Sequence, residues 1–128
     1  MAKLLIVDDD KGFLFLMGEY LESFGFDFEL ADSASQARSR LRRDRFDLVI
    51  SDFNMPGESG LDLFRYVSSI YPRLRFILMS GCNDPRVKRE AMSMGCSGFL
   101  EKPFKFADLL RMIRNPMPAK IQRRVSAA

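Results

Sequence analysis

Three consecutive acids, Asp8, Asp9 and Asp10, end the apolar run Leu4-Leu5-Ile6-Val7, and a fourth, Asp52, ends the run Leu48-Val49-Ile50-Ser51. Crowded carboxylates repel one another, so one must take a proton or a cation must neutralise them. Oxygen ligands with no Cys or His nearby select a hard ion, Mg²⁺ or Mn²⁺. An isolated run of three acids is usually a solvated turn. Here the run ends an apolar strand and a further acid, Asp52, ends another, which favours a metal site. Ser80 follows the run Phe76-Ile77-Leu78-Met79, and Phe99-Leu100 leads through Glu101 into Lys102. A cation, an ammonium and a hydroxyl around an aspartate form a charge-compensating cage for a phosphoryl group. Taken singly, Ser80 reads as a strand-end cap and Lys102 as a surface lysine. Only their convergence with the acids gives them this meaning.

Those groups converge only if the chain between them has the right architecture. Phe13, Leu14, Leu16, Met17, Tyr20, Leu21 and Phe24 recur at three-and-four spacing, a helix face that Gly25 stops. A weak strand is expected near Phe28–Ala31. Ser33-Ala34-Ser35-Gln36 has capping-box spacing and opens a second helix through about Arg43. Asn54-Met55-Pro56-Gly57 is loop chemistry, and Leu61 to Ile70 forms a third helix closed before Pro72. Asp84-Pro85 starts a fourth helix that Gly95 ends, and Phe106 to Ile113 marks a last one before Asn115-Pro116. Apolar strands without polar alternation suit a parallel sheet covered on both faces. The expectation is an α/β fold: a five-stranded, doubly wound parallel sheet in the flavodoxin-like order 2-1-3-4-5. Its ligand crevice lies past the ends of strands 1 and 3, where the winding reverses.

With 128 residues, 47% hydrophobic and 29% charged, the chain reads as one soluble globular domain. Cys82 and Cys96 form no CxxC pair, which excludes a disulfide framework and fits a reducing cytoplasm. The N-terminus is neither a signal peptide nor a membrane span. Histidine is absent, which removes His bases, His nucleophiles and His metal ligands together. The net charge of +3 hides an asymmetry, because acids concentrate in residues 1–64 and bases in residues 65–128.

The motifs Val7-Asp8-Asp9-Asp10, Asp52-Phe53-Asn54-Met55-Pro56-Gly57, Met79-Ser80-Gly81 and Glu101-Lys102-Pro103-Phe104 resemble those of bacterial response-regulator receiver domains. The resemblance covers about residues 3–114 and is specific, because four motifs fall in order at the right strand ends. It implies a phosphoacceptor role for Asp52 in two-component signalling. It also implies Mg²⁺ held by Asp9 and Asp52, with Asp8 assisting and the Asn54 backbone carbonyl as a further ligand. Ser80 then becomes the hydroxyl that closes on the phosphoryl group, Lys102 its lysine contact, and Phe99 the aromatic position that turns inward with Ser80. The same resemblance implies a cis Lys102-Pro103 bond. Its implied partners are a histidine kinase or histidine phosphotransfer domain, and a downstream target or second copy at the face of helix 4, strand 5 and helix 5.

Lys105 departs from the pattern, standing where a Ser, Thr or Asp usually caps the last helix. Phe99 lacks a hydroxyl, so any switch there works by packing. The alternative is an aspartyl-phosphate phosphatase of haloacid-dehalogenase type, which needs a second Asp where this chain has Asn54. A flavin carrier is disfavoured, since three acids after strand 1 repel a phosphate. Arg38, Arg40, Arg42, Arg43 and Arg45 lie on and just past one amphipathic helix with no interleaved aromatics, so direct nucleic-acid contact is not expected. Residues 1–115 are expected to form the receiver domain, with 116–128 a C-terminal tail or linker. The expected setting is cytoplasmic, with no membrane partner.

Overall fold

The computed structural model describes residues 2–81 and 84–114. Strands β1 (Lys3–Val7), β2 (Asp27–Ala31), β3 (Leu48–Asp52), β4 (Arg75–Ser80) and β5 (Gly98–Glu101) alternate with five helices. The helices are α1 (Lys11–Ser23), α2 (Ala34–Arg43), α3 (Gly60–Ile70), α4 (Pro85–Ser93) and α5 (Phe106–Arg114). The sheet is parallel throughout, in the order β2-β1-β3-β4-β5. This is the expected order, with winding reversed between β1 and β3. No described helix is long and apolar enough to cross a membrane.

Burial on both faces explains the unbroken apolar strands. Leu5, Val7 and Val49 share a core with Ala37 of α2, Phe64 of α3 and Ala91 of α4. Leu4, Ile6 and Ile50 share the opposite core with Leu14 and Met17 of α1 and Leu109 of α5. At the sheet edge, β2 reads weakly because its face toward α2 is buried only at its last residue, Ala31. Phe28 and Leu30 pack on the α1 side, while Glu29 points the other way and pairs with Lys3 at 3.0 Å.

Helix ends follow mostly from local chemistry. The Asp10 side chain accepts from Phe13 N at 3.1 Å and caps α1. At α2, the Ser33 hydroxyl accepts from Gln36 N, but the Gln36 side chain takes the N–H of Asp32 rather than that of Ser33. The expected reciprocal box is therefore shifted by one residue. A complete box forms instead at α3, between Ser59 and Asp62. Asp84 caps α4 with Pro85 next, as expected. Gly25 and Gly95 take positive φ after their helices, which a side chain would resist. At α5 the Lys105 carbonyl receives the first amide, from Asp108 at 2.9 Å, and Asp108 supplies the acid that suits a helix N-terminus. Arg75 closes the other end of α5, donating to the carbonyls of Met112 (2.5 Å) and Ile113 (3.2 Å). The expected stop at Asn115-Pro116 and the tail after it lie outside the described residues.

Candidate functional site

The switch between β1 and β3 brings the two acidic strand ends together. Ile6 pairs with Ile50 and Val7 with Ser51, so Asp8 and Asp52 leave the sheet side by side. One carboxylate oxygen each from Asp8, Asp9 and Asp52 lie within 4.8 Å of one another. Asp8 is buried and fully engaged. One of its oxygens accepts the Asp10 amide at 2.9 Å, and the other accepts Lys102 Nζ at 2.7 Å. Asp9 is exposed at the rim. Asp10, third of the acidic run, faces away from this cluster as a helix cap.

Lys102 bridges the two strand ends, since its ammonium also lies 3.0 Å from Asp52 Oδ1. β5 delivers it there, with the Lys102 amide donating to Ser80 O at 2.7 Å, and the Lys102-Pro103 bond is cis. Its ammonium also sits 4.2 Å from the centre of the Phe13 ring, which meets Phe104 edge-on. Burial alone would lower the Lys102 pKa, but the hydrogen bonds and charges of Asp8 and Asp52 together outweigh it, so the net direction is upward. The Asp52 carboxyl is pushed up, first by burial and then by the charges of Asp8 and Asp9, against the opposing pull of Lys102. Three carboxylates against one ammonium leave the cluster short of positive charge. An all-oxygen donor set with that deficit fits a divalent hard cation.

Ser80 ends β4 one residue past Met79, which pairs with Asp52. It is buried at the same edge of the sheet. Phe99 lies on β5, and at 8% exposure it already packs inside, in the core shared by α2, α3 and α4. Asn54 is exposed in the loop after β3, two residues past Asp52. Every expected site residue therefore falls at the C-terminal edge of the sheet or in the loop beyond it, apart from Phe99 within β5.

Two supporting residues were not singled out in the sequence. Phe13 read only as part of a helix face, and its place three residues after the capping Asp10 was the available signal. Gly60 opens α3 against the acceptor strand. A Cβ there would lie 2.1 Å from Asp52 O, and the Gly60 amide donates to Phe53 O at 2.9 Å.

The sheet order and the acid–lysine cluster define a receiver domain. The chain belongs to the response regulator receiver domain family, whose model matches residues 4–114. It is 38% identical to the response regulator protein FleR of Pseudomonas aeruginosa over 112 residues, which is 88% of this chain and 24% of FleR. The chain thus spans about a quarter of that relative. A response regulator receiver domain protein from Clostridium thermocellum is 30% identical, covers 100% of both chains and superposes with a TM-score of 0.85. The response regulator TrrA of Thermotoga maritima, solved with Mg²⁺ and BeF, is 25% identical over 91% of this chain and 100% of that one, with a TM-score of 0.81. Receiver domains are signalling modules of two-component systems and bind Mg²⁺ at an acidic pocket of this kind. Nothing in these similarities supports the phosphatase alternative.

Proposed function

We propose that Asp52 accepts a phosphoryl group from the phosphohistidine of a histidine kinase or histidine phosphotransfer domain. The observation that carries this reading is Lys102 held between Asp8 and Asp52, beside three carboxylates within reach of one ion. An Asp52 carboxylate oxygen forms the new bond to phosphorus while the P–N bond to the donor imidazole breaks, and the imidazole retains its electron pair. Mg²⁺, when bound, would supply charge neutralisation, with Asp8, Asp9, Asp52 and the Asn54 carbonyl as its protein ligands; Mn²⁺ suits the same oxygens. Lys102 releases Asp52 and contacts the phosphoryl oxygens. Ser80 donates its hydroxyl to them, and Phe99 adjusts by packing. Water later attacks phosphorus, breaks the acyl phosphate and restores the Asp52 carboxylate, so the domain limits its own signal.

The output belongs to the face of α4, β5 and α5. Arg86, Lys88, Arg89, Lys105, Arg111 and Arg114 lie there, opposed by Glu90, Glu101 and Asp108. Asp84 pairs with Arg86 and Asp108 with Arg111, which still leaves a basic excess. A downstream target with acidic residues fits this face. Several relatives are named as transcriptional regulators, so a nucleic-acid partner for a longer protein built on such a domain is compatible with those names. Within this chain, Arg38 is held by Glu58 at 2.6 Å and Arg40 by the Leu30 carbonyl at 2.8 Å. Those contacts suit a structural helix face rather than a nucleic-acid surface. A cytoplasmic setting and a domain ending near residue 115 belong to the same proposal.

The test is transfer from a phosphorylated histidine donor with and without Mg²⁺. Uptake should require the ion and should fall in Asp9→Ala. Uptake that persists in a chelator would contradict the metal assignment.

A further inference from the structure

We propose that Arg38 and Glu58 are positioning residues for the divalent cation, because their ion pair fastens the loop that presents the Asn54 carbonyl. The inference rests on the Mg²⁺ site proposed above. Residues 53–59 join β3 to α3, and the base of this loop is pinned. The Phe53 amide donates to Met79 O at 2.7 Å, and the Gly60 amide donates to Phe53 O at 2.9 Å. Between those two bonds, no backbone hydrogen bond to any described residue engages residues 54–58. Two side chains fasten the segment instead. Met55 is buried in the core that holds Ala34 and Ala37 of α2. Glu58 is half-buried and accepts Nη1 of Arg38 on α2, which lies 2.6 Å from Oε2 and 2.5 Å from Oε1. The Arg38 guanidinium also lies 5.4 Å from the centre of the Tyr66 ring on α3. Gly57 stands between the two fastenings with φ of 79°, so the backbone there offers little stiffness of its own.

Mg²⁺ demands near-ideal octahedral geometry, and groups that orient its ligands are needed for affinity. A carbonyl on a segment without backbone hydrogen bonds is oriented only by what fastens that segment. Met55 sets the near end against the core, and the Arg38–Glu58 pair sets the far end. Helix α2 thus acts on the cation through Arg38 while contributing no ligand. A partly exposed ion pair contributes little to the stability of a whole domain. The effect of this pair therefore falls on the loop and on the metal rather than on global unfolding.

The experiment is an NMR titration of the 128-residue chain with Mg²⁺, following the amides of Asp9 and Asn54. The sign of the effect separates positioning from charge. Arg38→Met removes a positive charge, which by field alone would strengthen cation binding; lost positioning weakens it. Arg38→Met should bind Mg²⁺ about tenfold more weakly than wild type, and Glu58→Gln should also weaken. The double variant should be no worse than the weaker single variant, because both changes break one contact. In metal-free buffer, ¹⁵N relaxation should show residues 54–58 more mobile in both single variants, with the urea midpoint near that of wild type. Arg42→Met removes an exposed arginine from the same helix that forms no ion pair with any described residue, and it should not weaken binding. Wild-type or tighter binding by Arg38→Met overturns the inference, and so do losses that add in the double variant. A wild-type chain whose Asp9 and Asn54 amides ignore Mg²⁺ overturns the metal site itself, and the inference with it.

Discussion

Gly60 and Asp52 are in closer contact than any side chain would allow: a Cβ at Gly60 would sit 2.1 Å from Asp52 O and 2.9 Å from its carbonyl carbon. Helix α3 therefore starts pressed against the backbone of the acceptor residue. Gly60→Ala forces either the helix or the strand end to move. Overpacking of this kind costs about 1–3 kcal/mol. The denaturant midpoint should fall accordingly, and phosphoryl uptake at Asp52 should slow. Wild-type stability together with wild-type uptake would mean that the helix start relaxes freely.

Lys102→Ala removes the ammonium shared by Asp8 and Asp52. Two buried carboxylates then face each other unscreened, and a loss of about 1–3 kcal/mol is expected in metal-free buffer. Mg²⁺ should recover part of it, because a cation can occupy the same field. Urea unfolding with and without Mg²⁺ measures both. The variant should still bind the ion, while losing the conformational response to phosphorylation. An equal stability loss in both buffers would show that lysine and metal do not act on the same carboxylates.

The fold and the core of the site were legible in the sequence for one reason. The central residues there stand at or just past the ends of strands, and a parallel sheet stacks its strand ends on one edge. Asp8, Asp52, Ser80 and Lys102 were readable from that rule alone. Gly60 and Phe13 were not, since their roles come from contacts between elements far apart in sequence. Strand β2 was faint because, at the sheet edge, its face toward α2 carries the polar Asp27 and Glu29 and is buried only at Ala31. The capping box was assigned to Ser33 and Gln36, but the Gln36 side chain takes the amide of Asp32, one residue before Ser33. The fully formed box is at Ser59 and Asp62, where the carboxylate stands in place of the usual Glu or Gln.

Arg75 illustrates a residue whose work is invisible in sequence. It is half-buried at the start of β4, where burial lowers its pKa, and its fork holds the last carbonyls of α5. Arg75→Met keeps the stem but leaves those carbonyls to water. A loss of about 1–2 kcal/mol is expected by urea unfolding, since each lost hydrogen bond contributes on that order. A gain in stability would show that burying the guanidinium costs more than its bonds return, as its unpartnered Nε would then suggest.

Cys96 supplies a pH prediction. Its thiol is buried, contacts Phe76 O at 3.2 Å, and is pushed up from 9.0 to about 12, chiefly by burial. Between those values the folded chain binds a proton that the unfolded chain has released. The stabilisation is thus complete below pH 9 and is lost as pH rises toward 12. The neutral thiol should also resist alkylation in the native state. Peptide mapping after iodoacetamide should find Cys96 modified only once the chain is denatured. Labelling of Cys96 in the native protein at neutral pH would contradict its placement.

Phosphorylation of Asp52 is the claim on which the rest depends. The most direct measurement is intact-mass spectrometry with peptide mapping, after treatment with a small acyl phosphate and Mg²⁺. Wild type should gain a single phosphoryl group on the peptide that contains Asp52, and Asp52→Asn should gain none. Equal labelling of the two chains, or a phosphoryl group mapped to any other residue, would contradict the account.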